Sequence, residues 1–145
     1  MTQKDDFDLQ SFLPYLLNQA AEESSLAFQQ VYKGRYGMLR TEWRVLFHLG
    51  IYGQMTAKEI GARARIHKTK VSRAVSKLEQ RRFLTRTRDE QDRRLEHLNL
   101  TTAGQAAYKD LHAVANTYDQ KLSALFPVAE AKMLRFMLRR LSGLE

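Results

Sequence analysis

The chain of 145 residues contains no cysteine. That excludes disulfides, thiolate metal sites and thiol-based redox sensing together. It has two prolines and no apolar run approaching the ~18 residues of a membrane-spanning helix. The opening Met1-Thr2-Gln3-Lys4-Asp5-Asp6 lacks the basic-then-apolar order of a secretion signal, so the expected location is the cytoplasm. There is no glycine-rich phosphate loop, no His-Glu metal motif and no cluster of carboxylates. His48, His67, His97 and His112 are scattered, and none pairs at i and i+4 on a helix. An enzyme, a zinc site and a bound cofactor are therefore not expected.

What is present is a core and a basic block. Hydrophobic residues make up 43% of the chain, enough for one packed domain. Residues 56–101 hold 13 of the 24 Lys/Arg but only 6 of the 16 Asp/Glu, a net of +7 out of +8. Such segregation is the electrostatic footprint expected of a protein that meets a polyanion. A merely solvated basic face is the plain alternative.

Hydrophobic spacing divides the chain. Residues 1–8 are polar and expected to fray. Phe12, Leu13, Leu16, Leu17 and Ala20, then Phe28 and Val31, mark a first helix that Pro14 enters and Gly34 and Gly37 end. Thr41 is expected to cap a second helix whose buried stripe is Trp43, Leu46, Phe47 and Gly50. Thr56 and Glu59 form a capping box for a short third helix. After Arg65-Ile66-His67 a fourth helix, 68–81, buries Val71, Ala74, Val75 and Leu78. Leu84 to Arg88 and Leu95 to Leu100 read as a two-stranded hairpin over 84–100 with a charged tip. A long helix follows from Thr101 or Thr102, Pro127 breaks it, and a last helix carries Met133, Leu134, Met137, Leu138, Leu141 and Leu144.

The fourth helix has an unusual outer face. Thr69, Ser72, Arg73 and Ser76 recur at three and four residues, flanked by Lys68, Lys70 and Lys77. Short hydroxyls let a backbone approach closely, and a guanidinium can bind guanine with two hydrogen bonds. The hairpin adds Arg86, Arg88, Arg93 and Arg94, a ribbon able to enter a minor groove. Asp92 is placed to hold a neighbouring arginine.

These residues carry a resemblance. Thr41-Glu42-Trp43-Arg44-Val45-Leu46, Lys70-Val71-Ser72-Arg73-Ala74-Val75, Asp92-Arg93-Arg94 and Leu98-Asn99-Leu100-Thr101 together resemble the MarR family of bacterial regulators. The family's wing pattern, Asp-x-Arg before an apolar strand ending Leu-Thr, falls on Asp92, Arg94, Leu100 and Thr101. The fold implied is mainly α with a small β-hairpin: a winged helix-turn-helix at 41–101, with N- and C-terminal dimerisation helices at 9–36 and 102–144. The function implied is that of a homodimeric regulator, a repressor, on a pseudo-palindromic duplex operator. Exposed Leu134, Met137, Leu138, Leu141 and Leu144 would otherwise form a large apolar patch. His67 departs from the pattern, because relatives often carry a stronger cap before the recognition helix.

The resemblance also implies release by a small aromatic or anionic effector held between the dimerisation helices and the lobe. Tyr15, Tyr32, Tyr36, Trp43, Phe47 and His48 lie near that junction, with Arg40 and Arg44 as carboxylate partners. Trp43 and Phe47 also sit at core spacing, and a histidine such as His48 is more often structural. A competing reading is a helical interaction module that docks its basic patch on an acidic protein; four arginines on a ribbon beside a Ser/Thr face argue for DNA instead. Single-stranded nucleic acid is disfavoured, because Phe83 is the one aromatic residue within 56–101.

Overall fold

The computed structural model describes residues 6–144. The frayed start expected at 1–8 thus lies mostly outside the described residues. Among these residues the chain forms a 3₁₀ turn (Leu9–Ser11) and six α-helices: α1 (Leu13–Tyr36), α2 (Arg40–Tyr52), α3 (Ala57–Ala64), α4 (Lys68–Gln80), α5 (Thr102–Ser123) and α6 (Val128–Ser142). Three strands, β1 (Met55–Thr56), β2 (Leu84–Arg88) and β3 (Glu96–Leu100), make an antiparallel sheet ordered β1-β3-β2. This is the winged helix-turn-helix expected, with one strand more than the hairpin. Met55 pairs with Leu98, and Thr56 with His97. Two residues are too few to show an alternating pattern, so β1 left no signal in the sequence.

The core lies between α2, α4, the sheet and the first half of α5. Val45, Leu46, Ile60, Val71, Val75, Leu78, Leu84, Leu98 and Leu111 are all buried. The stripe of α2 is rotated from the expected one. Glu42, Val45, Leu46 and Leu49 are fully covered, while Trp43, Phe47 and Gly50 are half-buried toward α1 and α5. Two helices flank α2 on different sides, so its apolar arc is wider than a single stripe.

Its start also differs. Leu39, not Thr41, is the capping position, and the Glu42 carboxylate accepts the Leu39 N–H at 2.9 Å. Glu42 closes the turn from inside the helix, which a search for a Ser/Thr cap overlooks. Its other oxygen, Oε1, has no hydrogen-bond partner among the described residues. Gly34 lies inside α1, and Gly37 alone ends it, in the left-handed region at φ +63°.

The remaining boundaries follow their caps. Thr56 Oγ1 accepts the Glu59 N–H at 3.2 Å, and Thr101 Oγ1 that of Gly104 at 3.0 Å. Pro127 stands at the cap of α6. No other element packs extensively on α6, and Ala131 is its one buried residue.

Candidate nucleic-acid interface

α4 is anchored by four buried residues, Val71, Ala74, Val75 and Leu78, which fix the direction of the rest. Lys68, Thr69, Lys70, Ser72, Arg73 and Lys77 are exposed, and Ser76 is half-buried beside the wing. Lys68, Lys70, Arg73 and Lys77 make no ion pair among the described residues. His67 caps the helix through Nδ1, which accepts the Thr69 N–H at 3.2 Å.

Arg86 ties the outer side of the wing to α4. Arg86 donates to Glu79 at 3.1 Å and Ser76 at 3.0 Å on the helix, and to Glu96 at 3.3 Å on β3. The outer face of α4 and the wing are therefore one continuous surface. Arg86 itself is held within the protein, unlike Arg88 and Arg93, which are exposed and unpaired among the described residues.

Two carboxylates shape the wing tip. Asp92 Oδ1 accepts both the backbone N–H and the Nε–H of Arg94, at 3.1 and 3.2 Å. The expected restraint of an arginine by Asp92 is thus present, while the Arg94 side chain stays 91% exposed. Asp89 accepts the N–H of Gln91 at 2.8 Å and of Asp92 at 3.3 Å, and His97 Nε2–H at 3.0 Å. The His97 bond first, then the two amides, hold the Asp89 carboxyl below its usual range. Sequence reading missed this pair. His97 and Asp89 sit eight residues apart on opposite arms, and only the strand register brings them together.

The residues expected at an effector site are not gathered around one cavity. Tyr36 donates its hydroxyl to Asp110 at 2.6 Å, and Arg35 grips the same carboxylate at 2.9 and 3.0 Å. Burial and the neighbouring carboxylate push the Tyr36 hydroxyl up to about 12. The hydrogen bonds from Tyr36 and Arg35 hold Asp110 low. Trp43 and Phe47 stack edge-on with Phe28 and with each other, and Phe47 continues to Tyr108. Arg44 donates to the Ala64 carbonyl at 2.8 Å, closing the end of α3, and its burial lowers its affinity for a proton. His48 Nδ1 meets the Arg44 carbonyl at 2.6 Å. Tyr15 is half-buried near the start of α1.

Two clefts flank α1. One, of about 510 Å³, runs between α1 and α5 past Phe28, Val31, Arg35, Asp110, Val114 and Lys121. The other, of about 280 Å³, is lined by Glu22, Glu23, Gln29, Tyr32 and Arg40 among others. Of the residues named near the effector junction, Tyr32 and Arg40 line the smaller cleft, and Tyr15, Tyr36, Trp43, Arg44, Phe47 and His48 line neither.

A family model described as "MarR family" matches residues 36–95, the span from the end of α1 through the wing tip. A crystal structure of a MarR/EmrR family transcriptional regulator from Acinetobacter sp. ADP1 superposes with a TM-score of 0.82 at 26% identity, covering 94% of this chain and 96% of that one. Over that span the chain is similar to the MarR family.

Two further proteins resemble it. An uncharacterised HTH-type transcriptional regulator of Bacillus subtilis (strain 168), YwaE, is 25% identical over 107 residues, 74% of this chain and 63% of that protein. The chain thus spans somewhat less than two thirds of that relative's length. A mutant MarR from E. coli, complexed with operator DNA, shares the fold at a TM-score of 0.83 and 19% identity, over 95% of this chain and 99% of that one. The named relatives are regulators, not enzymes.

Proposed function

We propose that this chain is a MarR-type homodimeric transcription regulator, a repressor, that reads a pseudo-palindromic duplex. The carrying observation is the continuity of unpaired charge. Lys68, Lys70, Arg73 and Lys77 stand exposed on α4 and Arg88 and Arg93 on the wing, and Arg86 bridges the two elements through Ser76 and Glu79. In this reading α4 enters the major groove with Thr69, Ser72, Arg73 and Ser76 toward the bases. The wing tip, with Arg93 unpaired and Arg94 restrained by Asp92, follows the adjacent minor groove. The likeness to a MarR structure that holds operator DNA supports it.

The dimer reading rests on the apolar surface. All the exposed large hydrophobics except Leu39, Ile51, Tyr52 and Leu95 belong to the first 26 residues or to the segment from Leu125 to Leu144. A surface that apolar at both termini is covered in a stable soluble assembly. Residues 9–36 and 102–144 then form the dimer frame, and 41–101 the DNA-binding lobe. Release by a small aromatic or anionic effector at the frame–lobe junction belongs to the same reading. Arg40, which lines the smaller cleft, is the carboxylate partner this reading assigns.

The test is binding of the purified chain to the duplex upstream of its own gene and to a scrambled duplex, across a salt series, with mass measured in parallel. Selective binding by a dimer that weakens steeply with salt is expected. Equal binding to both duplexes with Arg73→Ala unchanged, or a stable monomer, would refute it.

A further inference from the structure

The segment that holds the recognition helix begins and ends with an arginine bonded to the end of another helix. Arg65 is the cap that ends α3, and Arg81 the cap that ends α4. Arg81 Nη1 donates to the carbonyls of Tyr36, at 2.8 Å, and Gly37. Arg65 donates to the carbonyls of Ser142 and, at 3.3 Å, Gly143. The two arrangements match. In each, the acceptors are the last residue of a terminal helix and the glycine after it.

The match has a physical cause. α1 and α6 both end on a left-handed glycine, Gly37 at φ +63° and Gly143 at φ +71°. In both, the following backbone N–H turns back onto the helix: Met38 onto Tyr32 at 3.2 Å, Leu144 onto Arg139 at 2.8 Å. That closure satisfies earlier carbonyls and leaves the last two outward. Outward carbonyls at the negative end of a helix attract a cation, and a guanidinium has enough donors to serve both. Close approach matters too, since a Cβ at Gly37 would stand 2.9 Å from Arg81 Nη1.

We infer that Arg65 and Arg81 are positioning residues, which suspend the recognition helix between the C-terminal ends of α6 and α1 and do not touch phosphate. This rests on the DNA-binding reading above, but the tether exists with or without DNA. Two of the thirteen cations in the basic block thereby serve geometry. A shift of α1 or α6, the helices with bare apolar faces, would reach both ends of α4.

The experiment uses the full chain with Arg81→Met, Arg81→Lys, Arg65→Met and Gly37→Asn. Asparagine tolerates the left-handed conformation, yet its Cβ displaces the guanidinium. Amide hydrogen exchange of the free protein is read first. Arg81→Met and Gly37→Asn are expected to speed exchange at 36–39 and 78–83 several-fold, with no further gain when the two are combined and recovery in Arg81→Lys. Unchanged exchange, or additive effects, would overturn the tether. DNA binding is read second. Arg65→Met and Arg81→Met are each expected to weaken binding about tenfold, the value of a charge-assisted hydrogen bond, with the salt slope unchanged. A slope flattened by about one per arginine removed from each subunit would show phosphate contact and overturn the inference. If the parent protein binds no duplex, the proposed function fails, and the exchange result alone decides the tether.

Discussion

Substituting Arg93→Gln and Arg86→Gln separately distinguishes charge that is free to meet phosphate from charge already engaged. Both arginines lie on the wing and both changes remove one positive charge. Arg93 is exposed and unpaired among the described residues, whereas Arg86 lies between Glu79 and Glu96. The cations without an internal ion pair on the α4 face and wing are Lys68, Lys70, Arg73, Lys77, Arg88 and Arg93. If each met one phosphate in both subunits of a dimer, log K would fall against log salt with a slope of about −11. That is an upper bound, because base contacts release fewer counterions. Arg93→Gln should flatten the slope by about 1.8, two phosphate contacts per dimer. Arg86→Gln should leave the slope nearly as it was while lowering affinity at every salt, since two carboxylates then face DNA uncompensated. Its effect on folding should be small, because its partners are about 40% exposed and such pairs contribute ~0.2–1 kcal/mol each. Fluorescence anisotropy of a labelled duplex at several salt concentrations reads both quantities. Equal flattening in the two variants would refute the distinction, showing that Arg86 leaves its carboxylates for phosphate. No flattening with Arg93→Gln would remove the wing tip from the interface.

Other expectations concern folding and protonation. Gly104→Ala places a Cβ 2.0 Å from the Phe83 carbonyl oxygen, a backbone atom that cannot swing aside, so urea unfolding should show a loss of ~1–3 kcal/mol or more. Leu78→Ala, under the recognition helix, should cost ~2–5 kcal/mol in the same assay. Tyr36 is raised to about 12 and burial also raises Tyr32, so ultraviolet titration should show tyrosine still protonated above the ordinary tyrosine range. The stability the Tyr36 hydroxyl contributes is complete below the unfolded tyrosine value and is lost as pH rises through about 12. Asp110 is shifted the other way, so its contribution is present above the ordinary carboxylate range and lost as pH falls through the lowered value; Tyr36→Phe should move that acid loss to higher pH. His67→Asp should strengthen the cap of α4 by ~0.5–1 kcal/mol in thermal melts, yet weaken DNA binding by bringing a carboxylate toward phosphate.

Where the sequence spoke clearly, one local rule governed one element. Val71, Ala74, Val75 and Leu78 recur at helical spacing and all face the core, so both α4 and its outer face could be read directly. Thr56 and Thr101 cap through their own hydroxyls, and both helix starts were legible. α2 was misjudged because its start is capped from within by Glu42 and its apolar arc serves two neighbours. The wing arginines were found by type, but their partners were not. Arg86 meets Glu79 and Glu96, and His97 meets Asp89, through strand register that spacing alone does not reveal. The effector candidates fared similarly. Arg44, His48 and Tyr36 are the right chemical types, and the structure shows each already bonded to a carbonyl or carboxylate of its own chain.

Charge counting along a sequence therefore measures a footprint and not a contact surface. Of the thirteen cations between 56 and 101, Arg65 and Arg81 hold helix ends, Arg86 holds two carboxylates, and Arg63 lies 3.9 Å over the Tyr52 ring. These four still add to the long-range field that draws a polyanion, since a field depends on position and not on hydrogen bonding. Their short-range role is different: they set the distance and tilt at which the unpaired cations are presented. Association rate should thus follow the whole block, and dissociation rate the unpaired subset. Neutralising Arg63 should slow binding at low salt while leaving dissociation unchanged. Stopped-flow measurement of both rates would refute this partition if Arg63→Gln speeds dissociation as much as Arg93→Gln does.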